Sequence, residues 1–355
     1  MVKALGIILV AAIISAGTAV WYVRSEAIAF LDTRSAPSED GVIIEIPKGS
    51  TPHAAAELLA SHGIVKNARY FDYLLRYMTR YENAGSIKWG EYQFKGGMSP
   101  REIADKLFKG DRYLHKVTIP EGLRYEEIAA IMEEAGLADS AKFIKLCTNR
   151  ELLNLLGIQG ASVEGYLFPD TYFFEKNPGE EKIIRAMVRR HMDVFARYYS
   201  GVLRNGLDGR KGIILASIVE KETGAPQERP LIARVFYNRL AKGMKLQTDP
   251  TVIYGIIRSK GAFSGNLRRK DLQTYNEFNT YAIDGLPPGP ICNPGADALK
   301  AVAEPADSKA LFFVSKNNGT HEFCPNLKCH NQAVQKWQVE FFKRPAPAQG
   351  AAKEK

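Results

Sequence analysis

The stretch Lys211-Gly-Ile-Ile-Leu-Ala-Ser-Ile-Val-Glu-Lys-Glu-Thr-Gly224 decides how this 355-residue chain is interpreted. Residues 212–219 carry no charge and almost no polar side chain, and Gly224 and Pro226 end the run. An apolar run of this length with those terminators predicts a helix that is buried nearly all round.

Two carboxylates, Glu220 and Glu222, lie in the last turn of this predicted helix. Residues two apart point about 200° apart around a helix, so at most one of them faces a shared cleft. Glu222 prolongs the stripe of Leu215 and Ile218, whereas the other glutamate lies on another side. The negative end of the helix dipole and burial both disfavour an ionised carboxylate there, and so raise its pKa. A general acid working near neutral pH needs such a pKa; two solvated helix-end charges are the alternative interpretation.

The composition is that of a globular protein with a basic surface. The hydrophobic fraction is 45%, the formal net charge is +9, and 355 residues suffice for two or three domains. Excess positive charge favours anionic partners such as anionic lipid or a carboxylate-bearing polymer. The sequence has no run of five or more basic residues and no nucleic-acid-binding signature. We therefore predict no nucleic-acid partner.

The N-terminus predicts export. Residues 4–23 carry no charge, and about 20 such residues can span a bilayer as a helix. Lys3 precedes them, and Trp21 and Tyr22 lie at the far end, where aromatic residues anchor a helix at the membrane interface. We predict an uncleaved signal anchor over residues 1–24, with the bulk of the chain outside the cytoplasm; a cleaved signal peptide is the alternative.

An internal repeat follows a linker predicted over residues 25–41. Residues 42–49 (Val-Ile-Ile-Glu-Ile-Pro-Lys-Gly) match residues 116–122 (Lys-Val-Thr-Ile-Pro-Glu-Gly). In each copy a strand ends at an Ile-Pro step, and two helices are predicted to follow. Such strand–helix units form either binding modules or plain α+β packing units, and the pattern leaves both open. The predicted helices are 54–62 and 69–81 in the first copy, 126–135 and 141–147 in the second, and 101–108 after a partial third copy.

An aromatic segment, Glu164-Gly-Tyr-Leu-Phe-Pro-Asp-Thr-Tyr-Phe-Phe174, precedes a long helix predicted over residues 178–199. Tyrosine and phenylalanine clusters can stack on sugar rings, and Glu164 and Asp170 would then supply hydrogen bonds. An aromatic core strand pair is the alternative interpretation, and the pattern alone does not separate the two.

Polar signals cluster after a helix predicted over residues 228–241. Asp249 followed by Pro250 predicts a helix start, with Asp249 as the N-cap and proline at the first helical position. Gln247 and Thr248, just before that cap, are candidate hydrogen-bonding loop residues. The segment Asn279-Thr-Tyr281 continues this polar and aromatic character.

The C-terminal part is predicted to contain a hairpin and a final helix. Asn317-Asn-Gly319 is a good hairpin turn between the apolar runs 311–315 and 321–323. A helix is predicted over residues 331–342. Residues 343–355 are rich in alanine, proline and lysine and are predicted to be a disordered tail.

The four cysteines fall into two groups. Cys324 and Cys329 lie between His321 and His330, a spacing that leaves three interpretations: a local disulfide, unpaired thiols, or a tetrahedral metal site. The spacing is not a standard zinc pattern. The other two cysteines are interpreted as structural. The other histidines, His53, His62, His115 and His191, lie in helices or linkers without a partnered serine or cysteine motif, so a Ser-His-Asp triad is unsupported.

Several segments together resemble the YceG-like family of endolytic murein transglycosylases. The similarity runs from the predicted anchor through the last predicted helix, and the motifs fall in the family's order, which makes it more specific than any single motif. The region of Cys324 and Cys329 departs from the family's usual pattern. The matching segments are 164–172, Ala216-Ser-Ile-Val-Glu-Lys-Glu-Thr223, Leu246-Gln-Thr-Asp-Pro-Thr-Val-Ile-Tyr-Gly255, Asn279-Thr-Tyr281, Gly285-Leu-Pro-Pro-Gly289 and Asn293-Pro-Gly-Ala-Asp297.

The resemblance implies an α+β fold in three parts. These are an N-terminal transmembrane helix, a LysM-like βαα(β) repeat region over residues 42–115, and a mixed α/β catalytic domain over residues 116–342. It implies a single-pass protein of the inner membrane whose catalytic domain lies in the periplasm. Peptidoglycan glycan strands and the inner membrane are the implied partners, and peptidoglycan synthases are candidate partners. No metal or organic cofactor is expected.

The implied activity is non-hydrolytic cleavage of the β-1,4 bond between N-acetylmuramic acid and N-acetylglucosamine in nascent strands. It leaves a 1,6-anhydro-muramyl end and stops strand elongation. The family's catalytic residue is the second glutamate of a Glu-x-Glu pair, followed by a small hydroxyl residue, and it matches Glu222. One acid/base carboxyl suffices for this reaction, whereas ordinary glycosidases need two. The candidate substrate-binding residues are Glu164, Tyr166, Asp170, Gln247, Asp249, Asn279 and Tyr281.

Two other classes of function stay open on the sequence. One is a membrane-tethered peptidoglycan-binding scaffold without catalysis, which would bind strands and leave no new anhydro ends. The other is an exported hydrolase that uses water, with Asp249 or Glu164 as its second carboxylate.

Overall fold

The computed structural model describes residues 2–36, 40–222 and 225–341, with side chains described from residue 12 onward. The chain divides into two compact units: residues 1–115 with 173–176, and residues 116–172 with 177–355. Helices dominate, and the strands of the described residues form two-stranded sheets. The predicted α+β class is therefore confirmed.

The first element is helix α1, Val2–Leu31. It extends past residue 24, where the sequence predicts the end of an anchor, into the predicted linker. Its C-terminal end is held in the first unit, because Phe30 is buried there and its ring lies 5.8 Å from that of Tyr70. Among the side chains that the structure describes, no helix is long and apolar enough to cross a membrane. The predicted span, residues 4–23, lies partly outside those residues.

The rest of the first unit is β1 (Val42–Ile46), α2 (Pro52–Ser61), α3 (Ala68–Tyr81), β2 (Gly90–Phe94) and α4 (Pro100–Lys109). β1 and β2 pair antiparallel, from Val42 opposite Phe94 to Ile46 opposite Gly90. Their inward side chains and the apolar faces of the helices share one buried core. The helices begin where the sequence supplies side-chain caps. These caps are Thr51, Asn67 and Ser99.

The second copy of the repeat is β3 (His115–Thr118), α5 (Tyr125–Glu134) and α6 (Ser140–Cys147). Its strand–helix–helix order is the same as that of β1, α2 and α3, so the predicted element order of both copies is confirmed. β3 pairs with β4 (Thr171–Phe174). The division of the chain passes through both strands.

The second unit continues with α7 (Arg150–Leu155), α8 (Glu180–Phe195), α9 (Tyr199–Arg204), α10 (Gly209–Glu222), α11 (Arg229–Ala241), α12 (Asp249–Lys260), α13 (Arg269–Gln273), α14 (Ala296–Ala303), β5 (Phe312–Ser315), β6 (His321–Cys324) and α15 (Leu327–Val334). A π-helical turn, Gln335–Glu340, extends α15. The helix predicted over residues 178–199 is α8, which is shorter at both ends, and α9 begins only at Tyr199.

Helix α10 is the central element of the second unit. Its residues 212–219 are all buried, as their lack of charge predicts, and α9, α11, α12 and α14 pack around it. Glycine allows the closest approaches. A Cβ atom on Gly212 would lie 2.5 Å from Val202 Cγ1, and one on Gly201 would lie 2.7 Å from the Ala303 carbonyl oxygen. Gly212 therefore lets α9 approach α10, and Gly201 lets the end of α14 approach α9.

The predicted C-terminal hairpin is confirmed, with Phe312 opposite Cys324 and Ser315 opposite His321. Cys324 and Cys329 form a disulfide, so of the three interpretations left open by the sequence the structure has the disulfide. Both remaining cysteines are buried thiols, as expected of structural residues.

Helix α15 begins earlier than the predicted start at residue 331. It begins at Leu327 because Asn326 acts as its N-cap and accepts the Cys329 N–H at 3.0 Å. The final part of the predicted helix and the whole predicted tail, from residue 342 onward, lie outside the described residues.

Candidate active site

The two carboxylates at the end of α10 have different surroundings, as their spacing predicts. Glu220 accepts hydrogen bonds from the Arg229 guanidinium at 2.8 Å and from the Gly295 N–H at 2.9 Å, and its side chain is only 5% exposed. Glu222 instead lines a cavity of about 440 Å³. Glu220 is therefore held in a buried ion pair, and Glu222 is the carboxyl that can meet a ligand. Thr223, the hydroxyl residue that follows it, lies outside the described residues.

The cavity draws its walls from segments far apart in the sequence. One wall comes from α10, α11, the turn before α12 and the loop after α13, and it carries most of the polar groups. A second part of the wall comes from the C-terminal hairpin and α15. Besides Glu222, the lining residues are Arg239, Leu246, Gln247, Thr248, Asp249, Tyr281, Phe312, Phe313, Leu327 and His330.

Burial raises the pKa of Glu222 to about 7. A hydrogen bond from Thr248 lowers this pKa and the nearby Asp249 carboxylate raises it, but desolvation is the largest cause. Desolvation is expected to be the largest effect on the pKa of a carboxyl at the end of a helix buried among apolar side chains. Near neutral pH the group is therefore divided between its acid and its base form, as acid/base catalysis requires.

Thr248 is the residue that contacts Glu222 directly, and the sequence predicted it only as a loop residue. Its hydroxyl donates to Glu222 Oε1. Two further threonines fix its backbone: the Thr248 N–H donates to Thr280 Oγ1 at 3.0 Å, and Thr251 Oγ1 donates to the Thr248 carbonyl at 2.7 Å. The preceding residue, Gln247, has a left-handed backbone with φ of 50°. Non-glycine residues keep that conformation where the surroundings impose it, often at functional sites.

The prediction that Asp249 is the N-cap of α12 is wrong by one residue. Thr248 has the extended backbone of an N-cap, and Asp249 and Pro250 are already helical. The Asp249 carboxylate is thereby left to accept a hydrogen bond from the Tyr281 hydroxyl at 2.7 Å. Of the candidate substrate-binding residues, Gln247, Asp249 and Tyr281 are the ones that line the Glu222 cavity.

Glu164 and Tyr166 lie elsewhere, beside a smaller cavity of about 140 Å³. Glu164 is 2% exposed and accepts from the Asn293 amide at 2.8 Å and from the Tyr254 hydroxyl at 3.3 Å. Its burial raises its pKa to about 8. Tyr166 is 7% exposed, and its ring packs 5.2 Å from that of buried His191. Of the two interpretations of the aromatic segment, the structure thus favours core packing.

Asp170 and Asn279 also make their contacts outside the cavity. The Asp170 carboxylate accepts from the Arg190 guanidinium at 2.7 Å. Asn279 is 1% exposed, and its amide donates to the backbone oxygens of Leu272 at 3.0 Å and Thr274 at 2.7 Å. Asn279 therefore shapes the loop that carries Tyr281.

The sequence missed the basic and aromatic part of the cavity wall. Arg239 is 8% exposed, and its guanidinium donates to the carbonyls of Leu246 and Leu311, both at 2.7 Å, while lying 5.1 Å from the Phe312 ring centre. The His330 ring packs on the Phe312 ring, with the ring centres 4.9 Å apart. Burial, and then Arg239, lower the pKa of His330 and so favour its neutral form. No local pattern joins these residues into one site, because they converge from α11, β5 and α15.

Comparison with known proteins gives a consistent result. The model of the YceG-like family matches residues 44–336. A protein of Bacillus subtilis (strain 168) named endolytic murein transglycosylase is 33% identical over 316 residues, which cover 84% of this chain and 86% of the relative. A Streptococcus pneumoniae protein of the same name is 29% identical over 331 residues, 84% of this chain but only 59% of the longer relative.

A solved structure extends the likeness to the fold. The crystal structure of a yceG-like protein from Listeria monocytogenes superposes with a TM-score of 0.56 and 31% identity, over 83% of this chain and 99% of that one. Because the family model matches residues 44–336 and the Bacillus relative is 33% identical, this chain belongs to the YceG-like family.

Proposed function

We propose that this chain is an endolytic murein transglycosylase that cuts peptidoglycan glycan strands without water, with Glu222 as its single acid/base group. The observation that carries the proposal is a carboxyl at the end of a buried helix, with its pKa raised to about 7, opening onto a cavity. Membership of a family whose named relatives are endolytic murein transglycosylases supports the reaction class.

The reaction needs a proton donor and then a proton acceptor at the same place. Protonated Glu222 gives its proton to the glycosidic oxygen as the bond from that oxygen to C1 of N-acetylmuramic acid breaks. The resulting carboxylate takes the proton from the muramyl 6-hydroxyl while that oxygen bonds to C1. The products are two shorter strands, one of which carries the 1,6-anhydro end. Glu222 is protonated again, and no water is consumed. Because an anhydro end has no free C1 hydroxyl, such a cut ends elongation there.

Thr248 determines which oxygen of Glu222 carries the proton. Its hydroxyl donates to Oε1, so the acid proton resides on Oε2. A hydrogen bond to a carboxylate also favours the ionised form. Thr248 therefore partly offsets the desolvation of Glu222 and keeps its pKa within reach of neutral pH.

The polar wall of the cavity is suited to hold the sugar. Gln247 is exposed there, and the Asp249–Tyr281 pair presents a carboxylate and a phenol beside the acid. We assign these three residues to substrate binding. Glu164, Tyr166, Asp170 and Asn279 make their contacts outside the cavity, and we assign them to structural roles.

The N-terminal part fits a membrane-tethered arrangement. α1 exposes Trp21 by 71% and Tyr22 by 60%, and the β1–α2–α3–β2 order is the βααβ order of the LysM-like region expected over residues 42–115. The proposal therefore includes a single-pass inner-membrane anchor over residues 1–24 and a periplasmic catalytic domain over 116–342, with residues 25–31 of the predicted linker continuing helix α1. The net charge of +9 suits anionic lipid and the carboxylates of peptide stems.

The mass of the product's muramyl end tests the proposal. Wild-type protein incubated with uncrosslinked glycan strands should release 1,6-anhydro-ended fragments, and Glu222→Gln should release none. Glu220→Gln, two residues away, is the matched control: once thermal melting shows that it is folded, it should still cleave. Wild-type yields from Glu222→Gln would refute the assignment, and loss in Glu220→Gln alone would transfer it to the other glutamate.

A hydrolytic reaction is the second candidate, because Asp249 is another carboxylate in the same cavity. Cleavage in heavy-oxygen water separates the two. Label at the new muramyl end would indicate hydrolysis, and an unlabelled anhydro end would indicate transglycosylation. A non-catalytic scaffold would bind the strands and give neither product.

A further inference from the structure

A second depression borders the Glu222 cavity. Leu327, the first residue of α15, is 58% exposed and lines both that cavity and a shallow groove of about 760 Å³ along α15. The cavity and the groove therefore meet at this side chain. The rest of the groove is polar, with Lys328, Asn331, Gln332, Gln335, Lys336 and Glu340 as its lining.

Three amides form one face of α15 within this groove. Asn331, Gln332 and Gln335 are all exposed, and Gln335, three residues after Gln332 and four after Asn331, lies beside both of them on the helix surface. The opposite face is occupied, since Ala333 packs into a small core with Val314 and the disulfide. Each amide has two N–H donors and an oxygen acceptor, and the Gln335 amide already donates to Glu340 Oε1 at 3.5 Å. We call Asn331, Gln332 and Gln335 the amide face.

The amide face is fixed relative to the Glu222 cavity. The Cys324–Cys329 disulfide joins the first turn of α15 to β6, and β6 pairs with β5, which supplies Phe312 to the cavity wall. At the other end, the Asn317 amide donates to the Trp337 carbonyl at 2.6 Å. The groove is thus joined, through the disulfide and these hydrogen bonds, to the hairpin that contributes Phe312 to the cavity wall.

We propose that the amide face is a further binding subsite for the glycan strand, taking the sugars that follow those seated at Glu222. This inference rests on the proposed function, because a strand cut at an internal bond must continue beyond the cavity. N-acetylated sugars carry hydroxyl and acetamido groups, which match amide donors and acceptors. From residue 328 to 335 the helix runs about 10 Å, long enough to follow the strand past more than one ring.

The chemistry of the face favours a sugar over a protein or lipid occupant. An apolar partner needs a contiguous apolar patch, and here Leu327 is the apolar side chain among the groove's lining residues. Lys328 is exposed beside the amides and adds a positive charge where the carboxylates of the strand would pass.

Binding of two ligands of different length tests the subsite. In Glu222→Gln protein, which should hold the strand uncut, Asn331→Ala, Gln332→Ala and Gln335→Ala are combined. Binding of a long uncrosslinked strand should weaken about tenfold, the loss expected for two or three neutral hydrogen bonds. Binding of one N-acetylglucosaminyl–N-acetylmuramic acid disaccharide, followed by NMR titration, should be unchanged. Gln273→Ala, an exposed amide on α13 that lines neither cavity nor groove, is the matched control.

A second variant blocks the groove with a large side chain instead of removing its amides. Gln332→Trp should produce the same length-dependent loss while thermal melting stays at the parent value. Equal affinity of the long strand for the parent and both variants would overturn the inference, as would an equal loss for both ligands. The proposed function fails on a separate result, the absence of anhydro ends from wild-type digests, and the binding comparison does not depend on it.

Discussion

At the scale of single residues, the proposed chemistry depends on two opposing effects on the pKa of Glu222. Burial pushes the pKa of Glu222 upward, and the Thr248 hydroxyl pulls it back. A buried acid without a partner would stay protonated and could not act as a base. A solvated one would be ionised and could not act as an acid.

The pH dependence of cleavage should show the pKa of Glu222. The group must be protonated to donate, and its pKa is about 7, so activity should fall as pH rises through this value, by about tenfold per unit well above it. The measurement is the initial rate of release of anhydro-ended fragments at low substrate concentration. A rate that stays constant across this range would contradict the assignment of Glu222 as the acid.

Thr248→Val removes the hydroxyl and keeps the shape of the side chain. The pKa of Glu222 should then rise, because the hydrogen bond that lowers it is lost. The alkaline limb of the rate profile should move to higher pH, and kcat should fall by about tenfold or more as the carboxyl loses its orientation. Thr248→Ser should restore both values. A Val variant with a lower kcat but an unmoved profile would mean that Thr248 acts only through local structure.

At the scale of elements, the position of α10 depends on close packing against its neighbouring helices. Gly212→Ala places a methyl group 2.5 Å from Val202 Cγ1 and should push α9 away from α10. We expect a loss of about 1–3 kcal/mol in the free energy of unfolding, typical of overpacked sites. Denaturant unfolding followed by circular dichroism measures it.

Matched variants separate overpacking from a general effect of alanine. Gly289→Ala, where an added Cβ meets nothing within 4 Å, should leave the unfolding free energy almost unchanged. The double variant Gly212→Ala/Val202→Ala should recover part of the loss, since the smaller side chain makes room. If Gly212→Ala proves as stable as the parent, the close packing of α9 on α10 is not what holds that helix.

Local patterns predicted many of the elements and several residues that line the Glu222 cavity. The lack of charge over residues 212–219 predicted the burial of α10, and the two-residue spacing predicted that Glu220 and Glu222 diverge. The residues that complete the cavity could not be predicted, because Arg239, Phe312 and His330 meet only through tertiary contacts. Glu164 and Tyr166 were assigned to the sugar for their chemistry, yet their burial is decided by the packing of remote segments.

At the scale of the second unit, a buried acid helps to join distant segments. Asn293 accepts the Leu167 N–H at 2.8 Å and donates to the Leu123 carbonyl at 3.0 Å and to Glu164 at 2.8 Å. Tyr254 of α12 reaches the same carboxyl. Glu164 thus lies where several parts of the chain converge, and its protonation state affects the stability of the whole unit.

Folding should therefore weaken as the pH rises toward 8. Burial raises the pKa of Glu164 from 4.5 to about 8, so the folded chain binds a proton that the unfolded chain releases. The stability linked to this proton is fully present below about pH 4.5 and is lost as pH rises through about 8. The slope is about 1.4 kcal/mol per pH unit at most. Urea unfolding at a series of pH values measures it.

Glu164→Gln isolates this contribution, because the amide keeps an oxygen for Asn293 and can donate to the Tyr254 hydroxyl but does not titrate. The variant should lose most of the pH dependence between about 7 and 8, where Glu222, with its pKa of about 7, contributes less. Glu222→Gln, the complementary variant, should keep that dependence while abolishing cleavage. If Glu164→Gln instead left the slope unchanged and Glu222→Gln removed it, the buried acid that limits folding at high pH would be the catalytic one. Stability and activity would then be coupled through a single carboxyl rather than divided between two.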